Sequence, residues 1–411
     1  MNPRFIQIHF LTSYPGALLN RDDAGFAKRL PFGGVTRTRI SSQCLKRHWR
    51  TFSGEMALAK IGIPESYRSR HTFDLMIKKP LMDEGISPAL ATAATQSLMA
   101  LVLGESKKAK AEKKGKGGEP KPASDEALPG DCKTSQITVL GRPEVEYLLK
   151  LAREAAKDET DPKKVEKKLE EALKKEEKNL KALKTAIGLD AALFGRMVTS
   201  DVLARGDAAV HVAHAFTVHA EESETDYFSA MDDLQKEIEG EQLGAGHINT
   251  SELTSGLYYG YVVVDVPLLV SNLEGCELKD WEKADQTTAK KVVEHLINLI
   301  ATVSPGAKLG STAPYGYAQM VLIEKGNAQP RTLANAFLKP VKETPDLMEN
   351  AVNDMVTHLS AFDAMYGKSF ARAFAALRAP GSWSEPLVGK KLPLRDLAAW
   401  AGQTSAAEEA V

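Results

Sequence analysis

Seven cationic side chains, Lys28, Arg29, Arg37, Arg39, Lys46, Arg47 and Arg50, fall between Ala24 and Gly54 with no Asp or Glu among them. The whole chain carries 53 Lys and Arg against 54 Asp and Glu, so this segment is a local positive field in a neutral protein. In an extended piece from Thr36 to Ile40, Arg37 and Arg39 point to the same side. On a helix capped by Ser41 or Ser42, Lys46 and Arg50 lie one turn apart, where like charges repel by roughly 0.2–0.5 kcal/mol. An anionic partner relieves that repulsion. Ser41, Ser42 and Gln43 bring side-chain donors and first-turn amides to the helix start, a combination suited to phosphate oxygens. A solvated surface helix is the plainer alternative, since charge runs usually face water. If the partner is a nucleic acid, such contacts hold a backbone without reading bases. Binding is then salt-sensitive, with a log–log slope of roughly −0.7 per phosphate neutralised on a single strand.

Other constellations carry less. His211, His214 and His219 invite a metal, but on a strand His211 and His214 point to opposite faces, and His211 and His219 stand roughly 26 Å apart. Gly306 to Thr312, GAKLGST, has a phosphate-loop flavour without the Lys–Ser/Thr ending. Cys44, Cys132 and Cys276 are the only cysteines and none are close in sequence, so neither a disulfide framework nor a zinc site is expected. No catalytic group, metal or cofactor is assigned from these residues.

The elements that must position the basic segment are partly readable. The chain has 411 residues, 43% hydrophobic and 26% charged, enough for one large domain with insertions or for two. Ile6, Ile8 and Phe10 alternate with Gln7 and His9, which predicts a half-buried first strand ending at Pro15 and Gly16. A loop through Asn20, Arg21, Asp22, Asp23 and Gly33–Gly34 leads to a helix with Leu45, Trp49 and Phe52 on its buried face. Residues 61 to 185 read as a helical insertion, with a flexible loop about 105–130 and a solvated Lys/Glu helix from Asp161 to Leu183. Strands are expected at Leu193 to Thr199, Ala209 to Val218, Leu257 to Val266 and Tyr317 to Ile323, with a helix carrying Val292, Leu296 and Ile300 before the last. This order is that of an α+β, ferredoxin-like domain. The longest apolar stretch, Tyr261 to Val270, is broken by Asp265 and Pro267, so no membrane span and a cytoplasmic protein are expected.

The segments LNRDD (Leu19 to Asp23) and FGGVTRTRISSQCLKRHWR (Phe32 to Arg50) resemble the CasC family, the backbone subunit of subtype I-E CRISPR Cascade complexes in the RAMP superfamily. LFGRMVTSD (Leu193 to Asp201), AHAFTVH (Ala213 to His219), DYFSAMDDL (Asp226 to Leu234), ELTSGLYYGY (Glu252 to Tyr261), SPGAK (Ser304 to Lys308) and LANAF (Leu333 to Phe337) follow in the family's order. The pattern departs at Val35 and Thr36, where the family carries a further basic residue.

The resemblance implies a ferredoxin-like (RRM-like) palm from residues 1–60 and 186–345, a helical finger at 61–185 and a β-hairpin thumb at 218–256. Residues 346–411 are expected to be a helical segment packing on the palm. It implies that several copies line up along one CRISPR RNA, beside CasA, CasB, CasD and CasE-like subunits, and display the guide to target DNA. Arg21, Ser41, Gln43, Lys46 and Arg50 match positions that grip the guide backbone, and Arg37 and Arg39 join them by charge. Met197, Phe228, Ile248 and Thr250 match positions that wedge a displaced nucleotide. The acidic thumb residues Glu221, Glu222 and Glu224 are expected to face solvent or a neighbouring copy. The enzymatic alternative is Asp22 with Asp23, since related type III backbone subunits cut bound RNA with a metal held by an aspartate in this loop. A scaffold subunit that never touches RNA leaves the acid-free basic stretch unexplained.

Overall fold

The computed structural model describes residues 2–103, 132–182, 187–196, 206–230, 247–378 and 385–403. They fall into two compact units, one of Met1–Leu58, Val210–Val266 and Ala289–Val411, the other of Ala59–Ala209 and Pro267–Thr288. The second unit thus takes in more chain than the 61–185 insertion read from sequence. No helix among the described residues is long and apolar enough to cross a membrane.

The strands are, in chain order, β1 Phe5–Ala17, β2 Arg29–Phe32, β3 Val35–Ile40, β4 Ser66–Ser69, β5 Thr138–Gly141, β6 Val210–Val212, β7 Ala215–Thr217, β8 Glu222–Ala230, β9 His247–Asp265, β10 Ala318–Gly326, β11 Phe370–Ala376 and β12 Lys390–Lys391. In the first unit the order is β12-β11-β10-β1-β9-β7-β3-β2, with β6 and β8 also paired to β9. The centre, β10-β1-β9 with β6 and β7 beyond, runs antiparallel throughout. Helix Ser42–Thr51 comes between β1, with the β2–β3 hairpin after it, and β6, and helix Thr287–Thr302 comes between β9 and β10. That is the ferredoxin-like arrangement of an α+β domain.

Helices cover both faces of the sheet, which changes the reading of β1. Leu45 and Trp49 of the first helix and Ile300 of the second pack over Phe10, Thr12 and Tyr14. The helix Leu347–Tyr366 packs with Phe337 over Leu11, Tyr259 and Leu322 on the opposite face. Gln7 and His9, expected to face water, are therefore fully buried. The ring nitrogens of His9 and Oε1 of Gln7 are paired instead, while Gln7 Nε2 is buried with no partner among the described residues. His9 meets the Tyr259 hydroxyl at 2.9 Å and Glu324 at 3.1 Å, and Gln7 Oε1 accepts from the Tyr261 hydroxyl at 2.6 Å. Glu324 also takes Arg372 Nε at 2.6 Å and Arg331 Nη2 at 2.9 Å. Burial alone would raise the Glu324 carboxyl, but hydrogen bonds from His9 and Arg331 outweigh it and hold the group well below the usual carboxylate range.

Other departures have local causes. The expected loop through Gly33–Gly34 is a two-residue hairpin joining β2 to β3, with φ of 65° and 81° at the two glycines. A Cβ on Gly33 would fall 1.6 Å from the Leu338 carbonyl oxygen, so glycine is required there. Leu193 and Phe194, expected in a strand, end the helix Leu189–Phe194, because its apolar run is packed on successive turns. Met197 to Thr199 lie outside the described residues, as does the 105–130 loop. The tail is not purely helical, since FARAFAA forms β11 beside β10 with Phe370, Arg372 and Phe374 buried. Its alanines disguise the alternation.

The second unit is helical around Phe73, Ile77, Leu98, Leu148 and Val165, with β4 and β5 as a two-stranded sheet. The charged helix Pro162–Ala182 buries Val165, Leu169 and Leu173 at i, i+4 and i+8, so one of its faces is core rather than solvated.

Candidate nucleic-acid interface

The basic helix Ser42–Thr51 is built by a cap, an anchor and a tether. The Ser41 hydroxyl accepts the Cys44 amide at 3.2 Å, a cap worth about 1 kcal/mol. Leu45 and Trp49 bury one face, and Leu45 alone contributes about 1.5–3 kcal/mol. Asn20 Oδ1 accepts the Ser41 amide at 2.9 Å and fixes the loop Asn20–Lys28 to the helix start. With that face inside, Gln43, Lys46, Arg47 and Arg50 recur at i, i+3, i+4 and i+7 along the other. Gln43 and Arg47 are exposed, and Lys46 and Arg50 are half-buried. The first turn holds no acid, and the amides of Ser42 and Gln43 have no intrahelical acceptor.

The positive field is visible in what it does to its neighbours. Burial pushes the Cys44 thiol up while Arg47 and Lys28 pull it back down. Burial holds His214 below its ordinary value, and Arg39 and Lys28 hold it lower still. His214 therefore stays neutral and accepts from Arg39 Nη1 at 3.1 Å. Among the described residues Arg21, Lys28, Arg39, Arg47 and Arg50 form no ion pair with an acidic side chain.

Two basic residues leave this set. Arg37 is fully buried rather than aligned with Arg39 on an open face. Its guanidinium donates to the carbonyls of Phe32 at 3.2 Å, Thr217 at 3.1 Å and Phe337 at 2.9 Å, which makes it a structural tie out of reach of a ligand. Arg29 is paired with Glu221 and Glu252. Glu221 thus has a partner within the same chain, while Glu222 and Glu224 face solvent as expected.

The loop carrying Arg21 is closed on itself. Arg21 bridges Ala27, the Asp22 amide donates to the Phe26 carbonyl at 2.8 Å, and Asp22 Oδ1 accepts the Phe26 amide at 2.9 Å. One carboxylate of the enzymatic alternative is thereby engaged in a turn. The Ala27 amide donates to Glu252 Oε2 at 2.6 Å, joining the loop to β9.

Strands β8 and β9 pair antiparallel over nine residue pairs, from Glu222 with Ser255 to Ala230 with His247, within the 218–256 stretch expected to form a hairpin. Thr250 is exposed opposite Tyr227. The backbones of Phe228 and Ile248 belong to this hairpin, while their side chains and all of Met197 lie outside the described residues.

His219, Glu222 and Glu343 bring ligand atoms within 4.8 Å of one another. Both ring nitrogens of His219 are already used, Nδ1 donating to the Ala220 carbonyl at 2.7 Å and Nε2 accepting the Leu257 amide at 3.2 Å. His211 is exposed on β6, His214 lies in the two-residue interruption between β6 and β7 and His219 beyond β7, and no metal-holding group among the described residues includes His211 or His214.

Sequence reasoning did not single out Asn20 or Glu252. Both stand inside segments quoted above, LNRDD and ELTSGLYYGY, yet their contacts span 21 and 225 residues. Nothing local marks them as tethers.

The family described as CT1975-like protein matches residues 6–400. A chain of a solved structure described as "CRISPR RNA-guided surveillance complex, pre-nicking" superposes with a TM-score of 0.71 at 25% identity, covering 97% of this chain and 100% of that one. A chain of a second, described as "CRISPR RNA-guided surveillance complex", shares the fold with a TM-score of 0.54 at 20% identity, covering 97% and 99%. No curated protein matches.

Proposed function

We propose, because this chain belongs to the CT1975-like family and is a CasC-like protein of the Cascade type, that it is the subunit which grips CRISPR RNA by its backbone. The observation that carries this reading is the outer face of the Ser42–Thr51 helix. Gln43, Lys46, Arg47 and Arg50 share that face, the adjoining segments add Arg21, Lys28 and Arg39, and Arg21, Lys28, Arg39, Arg47 and Arg50 form no ion pair with an acid among the described residues. Charges of one sign held this close on a fixed helix favour a polyanion, and donors to phosphate position a strand without reading its sequence. Sequence is then read by base pairing between guide and target DNA.

In this reading several copies assemble as a filament along one guide in a type I-E complex, with CasA, CasB, CasD and CasE-like partners, and each thumb hairpin reaches along the strand. Met197, Phe228, Ile248 and Thr250 supply the wedge. The protein performs no chemistry of its own. Asp22 holding the Phe26 amide supports that view, since a carboxylate engaged in a turn is a poor start for a metal site.

Co-expression with a CRISPR array tests the proposal. The purified protein should carry RNA of repeat-spacer length, and fully soluble protein free of nucleic acid contradicts it. Cutting of complementary RNA with Mg²⁺, lost in Asp22→Ala, would instead establish the nuclease reading.

A further inference from the structure

The loop 304–317 follows the Thr287–Thr302 helix and returns along the end of β1. The Ala307 amide donates to the Leu18 carbonyl at 2.9 Å, two residues before the Asn20 that tethers the basic helix. Ile300, Val303 and Pro305 lie in the same packed layer as Leu45 and Trp49, so the loop emerges on the sheet face that carries the basic helix.

Within this loop Ser304 grips Gly316 twice, its hydroxyl donating to the Gly316 carbonyl at 2.8 Å and accepting the Gly316 amide at 2.9 Å. A Cβ on Gly316 would meet the Ser13 carbonyl oxygen at 2.8 Å and the Tyr14 ring at 2.9 Å. The side-chain direction of residue 316 therefore faces inward. Its neighbours face out, and Tyr315 and Tyr317 are 74% and 68% exposed. The preceding turn is held by bonds from the Thr312 amide to the Lys308 carbonyl and the Ala313 amide to the Leu309 carbonyl, with Lys308 and Ala313 in the left-handed region at φ 54° and 40°. Non-glycine residues persist there only where surrounding contacts over-determine them. Two large rings are thus presented to solvent from a fixed backbone, beside a cationic face.

We propose that Tyr315 and Tyr317 form a stacking platform for nucleobases of the strand whose backbone the basic helix holds. The inference rests on the RNA-binding reading above and adds a contact to the bases. Every base has a π-face, so stacking tolerates any sequence and complements backbone grip. Rings carried on a backbone already held by the Ser304 clamp have only their own side-chain torsions to lose when a base settles on them.

The test uses the full chain, single-stranded oligouridine carrying one 2-aminopurine, and an abasic oligonucleotide of equal length. Tyr315→Ala with Tyr317→Ala should weaken binding of the base-bearing strand about fivefold or more. Tyr315→Phe with Tyr317→Phe should stay within about twofold, because the ring face is kept. For the alanine pair the log–log salt slope should not change and the abasic strand should bind as it does to wild type, and 2-aminopurine emission should fall on binding to wild type and to the phenylalanine pair but not to the alanine pair. Alanine binding within about twofold of wild type overturns the inference. So does an equal loss on the abasic strand, which marks a structural role, or a loss confined to copurifying protein subunits. If wild type binds the strand and Lys46→Ala with Arg50→Ala weakens it while the tyrosine pair has no effect, the platform alone fails. If wild type binds neither strand, the RNA-binding reading fails with it.

Discussion

Arg37 Nη2 donates to the carbonyl of Phe337, 300 residues away in sequence, at 2.9 Å, while Nη1 reaches Thr217 on the neighbouring strand. A residue at the centre of the most basic segment is thus a tie between its own strand, β7 and the short 3-10 helix Ala334–Phe337. Arg37→Ala should destabilise the protein by about 3 kcal/mol, because it strips two buried carbonyls of a charged donor. Urea unfolding measures this, and RNA affinity per folded molecule should be unchanged. Lys46→Ala should do the reverse, costing within about 0.5 kcal/mol of stability.

Glu252 holds the loop Asn20–Lys28 from the side of β9, through the Ala27 amide at 2.6 Å and the pair with Arg29. Glu252→Gln keeps an acceptor but loses the charge, and should cost about 2 kcal/mol. Hydrogen exchange at the Ala27 amide should speed up before the protein unfolds globally. An amide as protected as in wild type would remove Glu252 from this role.

Stability should fall as pH drops below about 7. Burial holds both His9 and His219 below the ordinary value of 6.5. The unfolded chain therefore takes up protons first as pH falls through 6.5, and folded stability is lost from there downward until the folded groups titrate. Glu324, also held low, extends the loss below its ordinary 4.5. Urea midpoints between pH 7.5 and 5 should show the decline. His219→Gln can still donate and accept as His219 does, and should make it shallower, whereas a flat midpoint through this range contradicts the assignment.

The difference between Arg37 and Arg39 shows what sequence could and could not reveal. Two residues apart on an extended chain, they share a side by periodicity, yet Arg37 meets carbonyls from Thr217 and Phe337 that only the folded chain brings near. Long-range closure was likewise invisible at Glu252. Local patterns fared better. The Ser41 cap and the Leu45 and Trp49 anchor were legible because caps and helical spacing act over a few residues, whereas the hairpin of β8 and β9 was expected only from the family resemblance. β1 was legible as a strand but not as one covered on both faces, since Gln7 and His9 look polar until Tyr261, Tyr259 and Glu324 satisfy them. The strand read at Leu193 failed because a short apolar run fits a buried helix equally well. The wedge residues Met197, Phe228 and Ile248 rest on family resemblance.

The central claim is that the outer face of the Ser42–Thr51 helix holds RNA through phosphates. It is tested most directly by measuring affinity against salt for two unrelated single-stranded RNAs, with wild type and with Lys46→Ala and Arg50→Ala combined. Removing two phosphate contacts should flatten the log–log slope by about 1.4, equally on both RNAs. An unchanged slope, or a loss seen on one sequence only, would contradict the account.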